Sequence, residues 1–188
     1  VPWNDGAHPA RADDAAAIAY VHVMGWRETY PGIVPARTLA TMDVFSRTRY
    51  WAQVLDNKRN RIDVFVAEMP VDGEDRVVGF GVTGPEQVGL TEYSGEFHAL
   101  YVLKVGQGRG LGARMMAAMA SALIQRGMNA STVWALRDNW PARRFYEKMG
   151  GLLVSERPLM FDGTRVMEVA YGWDDVAAIA RRSEEAWR

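Results

Sequence analysis

The chain has 188 residues, enough for one domain with a sizeable core, and its 48% apolar and 24% charged residues have the balance of a folded globular protein. A formal net charge of −1 leaves no basic excess for gripping nucleic acid or an anionic membrane, and without cysteine there is no disulfide, thiolate nucleophile or cysteine-held zinc. The apolar stretch around residues 110–124 is interrupted by Arg114 and too short to cross a bilayer, and no leader pattern opens the chain, so one domain over 1–188 in the cytoplasm is the default expectation.

Residues 1–10 are rich in turn formers and hold at most a short first strand. Asp13 or Asp14 caps a helix running to about Gly25, with Ile18, Val21 and Met24 spaced to face a core. Pro31-Gly32 marks a turn, and a second helical stretch over 35–57 carries Leu39, Met42, Tyr50, Trp51 and Leu55. The period then changes: 62–67 reads as a strand, Asp72-Gly73 as a turn and 76–82 as its hairpin partner. A third strand, about 96–103, runs into a glycine-rich turn. The helix after it, roughly 109–127, is apolar nearly all round, so it is expected to be largely buried. A strand over 132–136 follows, then a short helix from Pro141 to Met149 that Gly150-Gly151 stops. Two strands flank Asp162-Gly163 and end near Trp173, and an amphipathic helix over 174–187 offers Val176, Ile179, Ala180 and Trp187 to a core or to a second subunit. This order predicts an α/β protein whose sheet is covered on both faces.

The turn Gln107-Gly108-Arg109-Gly110-Leu111-Gly112 is a candidate anion site. Helix-start N–H groups lack internal partners, the helix dipole adds positive potential, and glycines let a phosphate approach the backbone. A nucleoside-triphosphate loop would need Lys then Ser or Thr after the last glycine, and Gly112-Ala113-Arg114 does not supply them. Gly108-x-Gly110-x-x-Ala113 does satisfy the loose dinucleotide pattern. Against a nicotinamide or flavin enzyme, the turn sits past mid-chain after an antiparallel meander, not in an opening βαβ unit. The acidic residue expected on the next strand is Leu136-Arg137 instead, although Asp138 lies just beyond and keeps that alternative open.

The segment Leu100-Tyr101-Val102-x4-Gln107-x-x-Gly110-x-Gly112 resembles the pyrophosphate-binding motif of the GNAT (Gcn5-related N-acetyltransferase) superfamily. A second segment, Asn139-x-x-Ala142-x-x-Phe145-Tyr146-Glu147-Lys148-x-Gly150, resembles that superfamily's downstream motif at the expected distance. The resemblance extends over 8–173, with departures at Lys104, where proline is common, and Gly151, where phenylalanine is. It implies a mixed, mostly antiparallel sheet splayed at its centre and flanked by helices, with acetyl-CoA as cosubstrate. Leu100, Tyr101 and Val102 would contact the pantetheine and acetyl group, Gln107 to Gly112 (with Arg109 and Leu111) the pyrophosphate, and Asn139, Ala142 and Phe145 the cofactor channel. Tyr146 matches the tyrosine that acts as acid toward the departing sulfur.

The base is expected at Glu96, where family members often carry a glutamate, with His98 as the alternative; strict alternation puts both on one face, and a strand bulge would change that. His8, His22 and His98 lack metal-ligand spacing, so no metal is expected. No Gly-x-Ser-x-Gly elbow is present, which makes direct transfer through a ternary complex the default mechanism. The Trp26-Arg27-x-x-Tyr30-x-Gly32-Ile33-x-Pro35 stretch, Gly150-Gly151 and Tyr171-Gly172-Trp173 resemble the bacterial branch that includes polyamine N-acetyltransferases. On that resemblance Trp26 and Tyr30 cradle the acceptor ammonium and Glu28 pairs with it. The same aromatics would also serve to pin the helix junction. A polyamine, another small amine or a peptide amine is the expected acceptor; a non-catalytic acyl-CoA sensor is the reading from another class, and a homodimer is left open.

Overall fold

The computed structural model describes residues 6–57, 59 and 61–185, with side chains described up to residue 181. Its centre is a seven-stranded sheet in the order β1-β2-β3-β4-β5-β7-β6. The strands are β1 (Ala7–Pro9), β2 (Asp63–Val71), β3 (Glu74–Pro85), β4 (Gly95–Val102), β5 (Ser131–Leu136), β6 (Leu152–Phe161) and β7 (Thr164–Trp173). Every neighbouring pair is antiparallel except β4 and β5, which run parallel. That one parallel pair is short. Only Gly95, Glu96 and Phe97 match Ser131, Thr132 and Val133, and beyond them the two strands have no paired residues. The sheet therefore opens at its centre from His98 and Trp134 onward, as the family resemblance implies.

Helices cover both faces. On one, α1 (Ala15–Thr29) and α3 (Val44–Asp56) pack Ile18, Ala19, Val21 and Trp51 against Val66, Phe80 and Val82. On the other, α4 (Leu111–Gln125) and α6 (Ala177–Glu185) bury Met116, Met119, Leu123 and Ile179 with Phe97, Val133 and Val169. Eight of the α4 side chains are buried, which is why its sequence is apolar nearly all round. α5 (Trp140–Lys148) joins this face through Tyr146. Both hairpin turns adopt the left-handed backbone that Asp-Gly permits, with φ of 52° and 83° at Asp72-Gly73 and 46° and 80° at Asp162-Gly163.

Two boundaries depart from the sequence reading. α1 continues past Gly25 to Thr29. A Cβ at Gly25 would lie 3.3 Å from the Tyr101 ring, so this glycine lets helix and sheet approach closely and does not end the helix. The stretch 35–57 is two helices, α2 (Ala36–Ala40) and α3, because Asp43 accepts the Ser46 N–H at 2.7 Å and starts a new helix. The last helix starts at Ala177 rather than 174, and Val176 just before it and Ile179 within it are buried in the cluster that holds α4, while Trp187 lies outside the described residues.

Candidate functional site

Where β4 and β5 part, a cavity of about 950 Å³ runs through the molecule. Its floor is β4 from His98 to Val102 and β5 from Val133 to Ala135; its walls are the end of α1, the turn before α4, and α5. One end is the glycine turn. Gly108 and Gly110 have φ of 71° and 75°, which opens the backbone into a cradle, and a Cβ added at Gly108 would meet nothing within 4 Å. Gly110 is the N-cap of α4 and offers no side-chain cap, so the first N–H groups of a fifteen-residue helix face this space uncapped. Gln107 braces the turn by donating from Nε2 to the Val102 carbonyl at 2.8 Å. Gly112 lets α4 approach α5, since a Cβ there would lie 3.3 Å from Phe145. Among the described residues, Lys104, Arg109, Arg114 and Lys148 line the cavity against a single carboxylate, Glu28, so its charge suits a polyanion.

The other end is a cluster of phenols. The Tyr30 hydroxyl lies 3.2 Å from the Tyr101 hydroxyl and also within hydrogen-bonding reach of the Asn139 side chain. Asn139 in turn caps α5 by accepting the Ala142 N–H at 3.3 Å. Tyr146, one turn further along α5, is buried among Phe145, Tyr171 and Trp173. Burial pushes the Tyr30, Tyr101 and Tyr146 hydroxyls above their usual range, with the neighbouring Tyr30 adding to the effect on the other two. All three are therefore protonated donors at neutral pH. Among the described residues, the buried Trp134 Nε1 and Thr132 Oγ1 on β5 have no hydrogen-bond partner.

The cavity brings together Leu100, Tyr101, Val102, all of Gln107 to Gly112, Asn139, Ala142, Phe145, Tyr146, Glu28 and Tyr30. Two predicted residues are elsewhere. Trp26 packs with Tyr30 and Phe161 in the cluster that joins the α1–α2 corner to the β6–β7 hairpin, the pinning role of a junction aromatic. Glu96 is not on the cavity wall: it is buried, accepts the Gln87 N–H at 3.2 Å, and is held above the usual carboxylate range chiefly by burial. Glu28 lines the wall but is occupied locally, since it accepts the Lys104 N–H at 2.9 Å. Trp134, Ile33 and Lys148 also line the cavity; sequence reading places them only within longer stretches and gives them no site role.

The strand alternation expected for Glu96 and His98 is broken. β3 and β4 match Val82 with Ala99 and Thr83 with Phe97, which leaves His98 as an extra, unmatched residue. Phe97 and Leu100, three positions apart, consequently pack on the same cluster, while Ala99 and Tyr101 face the other helix layer. The dinucleotide alternative fails on topology: the turn leads through α4 from β4 to the parallel β5, but that short pair is the one parallel pairing in an otherwise antiparallel sheet, not part of the parallel sheet a dinucleotide fold needs. Among the described residues no group of three or more His, Asp or Glu could hold a metal ion, and no helix is long and apolar enough to cross a membrane.

A family profile described as FR47-like protein matches residues 88–158, the span from the loop before β4 to the middle of β6. Over 170 residues the chain is 33% identical to an uncharacterized N-acetyltransferase, YuaI, of Bacillus subtilis, covering 90% of this chain and 93% of that protein. Among solved structures, a GCN5-related N-acetyltransferase from Rhodopseudomonas palustris superposes with a TM-score of 0.66 at 19% identity, covering 92% of this chain and 96% of that one. The PaiA N-acetyltransferase of Thermoplasma acidophilum, solved in complex with coenzyme A, gives a TM-score of 0.66 at 15% identity, with 89% and 98% covered. At these identities the two structures are similar in fold.

Proposed function

Because the chain belongs to the GNAT superfamily of N-acetyltransferases, we propose that it moves the acetyl group of acetyl-CoA directly to a primary amine. The observation that carries this reading is the single cavity joining the uncapped start of α4 to the phenol cluster where β4 and β5 part. Acetyl-CoA supplies a polyanionic handle and an activated thioester, and the residues present fit both. The Gly108–Gly112 backbone and Arg109 hold the pyrophosphate, with Lys148 across the cavity mouth. The unpaired stretch of β4 beyond Phe97 offers backbone groups along which an extended arm can pair like an added strand.

At the reacting end the Tyr146 hydroxyl donates to the departing sulfur, a role that needs the protonated phenol its burial maintains. Tyr30 and Asn139 hold the α1 corner against α5 and so fix the wall opposite β4. The acceptor is a primary amine of small or peptide origin. The polyamine branch suggested by the α1 corner gains little support from the wall, where Glu28, already engaged by Lys104, is the one carboxylate. An amine with one positive charge fits better than a polycation.

The test is release of CoA thiol from acetyl-CoA in the presence of polyamines, amino acids and peptides in turn. Stimulated release with a matching acetylated product is expected for a singly charged amine. Tight CoA binding with no release for any amine would instead make the chain an acyl-CoA sensor.

A further inference from the structure

We propose that His98, not Glu96, is the base that takes the proton from the acceptor amine, an inference that rests on the acetyl-transfer reading above. Three observations converge on it. His98 is the first residue of β4 beyond the last β4–β5 pair, Phe97 with Val133, so it stands where the sheet opens. It is the bulged residue between Phe97 and Ala99, unmatched on β3, and it lines the cavity while Glu96 does not. Its ring is also anchored. Nε2 lies 2.9 Å from the Pro85 carbonyl, and a carbonyl only accepts, so Nε2 carries the hydrogen. The neutral ring then has its lone pair on Nδ1, the nitrogen able to receive a proton.

An alkylammonium has a pKa of about 10 and must lose a proton before it can attack near neutral pH. A neutral imidazole with a free ring-nitrogen lone pair can accept that proton. The charged groups gathered at this end of β4 are Glu96 two residues back, Glu86 on the loop after β3 and Arg157 on β6. Glu96 and His98, two residues apart on β4, interact electrostatically. Glu96, off the cavity wall, is a charge partner rather than the base.

The step balances as follows. One ammonium N–H bond breaks and its proton goes to Nδ1, the freed lone pair forms the new C–N bond, and as the C–S bond breaks with its electrons on sulfur the nitrogen loses its second proton to solvent, leaving the neutral amide. The Tyr146 hydroxyl supplies the sulfur's proton, and solvent returns one to Tyr146 and removes one from His98.

His98→Gln tests this, because the glutamine amide can still donate to the Pro85 carbonyl but cannot accept a proton in the working range. At pH 7, kcat/KM for the amine should fall about 100-fold, the scale of a lost general base, with CoA affinity by calorimetry unchanged. The deficit should narrow as pH rises toward the amine's own pKa, where free amine no longer needs a base. His98→Asn, which lacks the reach to Pro85, should show the same pH trend with a lower melting temperature. Wild-type kcat/KM in His98→Gln at pH 7, or an equal deficit at every pH, would overturn the assignment. A wild-type chain that releases no CoA thiol with any amine would overturn the transfer reading itself, and His98's role with it.

Discussion

Replacing Tyr146 by phenylalanine removes one oxygen from a side chain only 5% exposed. The ring keeps its edge contacts with Phe145 at 5.4 Å and Trp173 at 6.3 Å between centroids, and among the described residues the hydroxyl has no hydrogen-bond partner to lose. The fold should therefore be nearly indifferent. A change below about 1 kcal/mol corresponds to a melting shift under about 4 °C for a domain of this size. Catalysis should not be indifferent. If the hydroxyl donates to the departing sulfur, kcat should fall by about 10²- to 10³-fold, equivalent to about 3–4 kcal/mol of lost transition-state stabilisation. The KM for acetyl-CoA should stay within about threefold, because an interaction made only in the transition state does not enter ground-state binding. Burial also keeps this hydroxyl protonated well above its ordinary range, so the ratio of wild-type to mutant kcat should be flat from neutral to mildly alkaline pH. Steady-state thiol release and a thermal melt on the same preparations read both quantities. A mutant with wild-type kcat, or one whose loss tracks a large drop in melting temperature, would refute the reasoning.

Gly108→Ala and Gly163→Ala place the same methyl at φ of 71° and 80°, each into open space, so each should cost about 1–2 kcal/mol of backbone strain. Only Gly108→Ala should also raise the KM for acetyl-CoA; equal KM values would remove the phosphate cradle from that turn. His22 is held down from the usual 6.5 to about 4, by burial first and then by the positive charge of Arg47. The unfolded chain takes up this proton first, so stability is full above pH 6.5 and falls as pH drops toward 4. At about 1.4 kcal/mol per pH unit the fall from 6.5 to about 4 is worth about 3 kcal/mol. Urea midpoints should track that window and flatten in His22→Gln, and an unchanged slope in the mutant would count against it. Glu96 has the opposite sign: a carboxyl raised by burial is more easily ionised in the unfolded chain, so its contribution is lost as pH rises above the ordinary carboxylate range. Glu96→Gln should therefore be more stable than wild type at pH 7 and similar at pH 4, with a smaller loss of kcat/KM than His98→Gln; the reverse order of activity loss would restore Glu96 as the base.

The anion end of the cavity was legible because its chemistry is local. Gly108, Gly110 and Gly112 lie within five consecutive residues, and the helix they open is the next element, so spacing alone carries the geometry. Asn139, Phe145 and Tyr146 are likewise one helix's residues, ordered by its own period. The hairpin turns at Asp72-Gly73 and Asp162-Gly163 were legible for the same reason. What failed to show was set by contacts between distant segments. Gly25 looks like a helix stop until Tyr101, far along the chain, is laid against it. Trp26 reads as either a ligand cradle or a junction pin until the β6–β7 hairpin brings Phe161 onto its ring and shows it to be the pin.

The bulge at His98 is the sharpest case, because period-two alternation assigns Glu96 and His98 to one face and no residue in 96–103 marks where an extra one falls, so a bulge could be raised only from the family resemblance. Only the simultaneous demands of two helix layers, Phe97 and Leu100 toward α4 against Ala99 and Tyr101 toward α1, force one residue out of register. The residue so displaced stands at the mouth of the gap between β4 and β5. The phenol end of the cavity is thus assembled from the α1 corner, a strand irregularity, β5 and α5, of which only β5 and α5 are neighbours in sequence, whereas the anion end is one turn and one helix. A short motif can encode the second and not the first, which is why the chain declares its acetyl donor far more openly than the amine it serves.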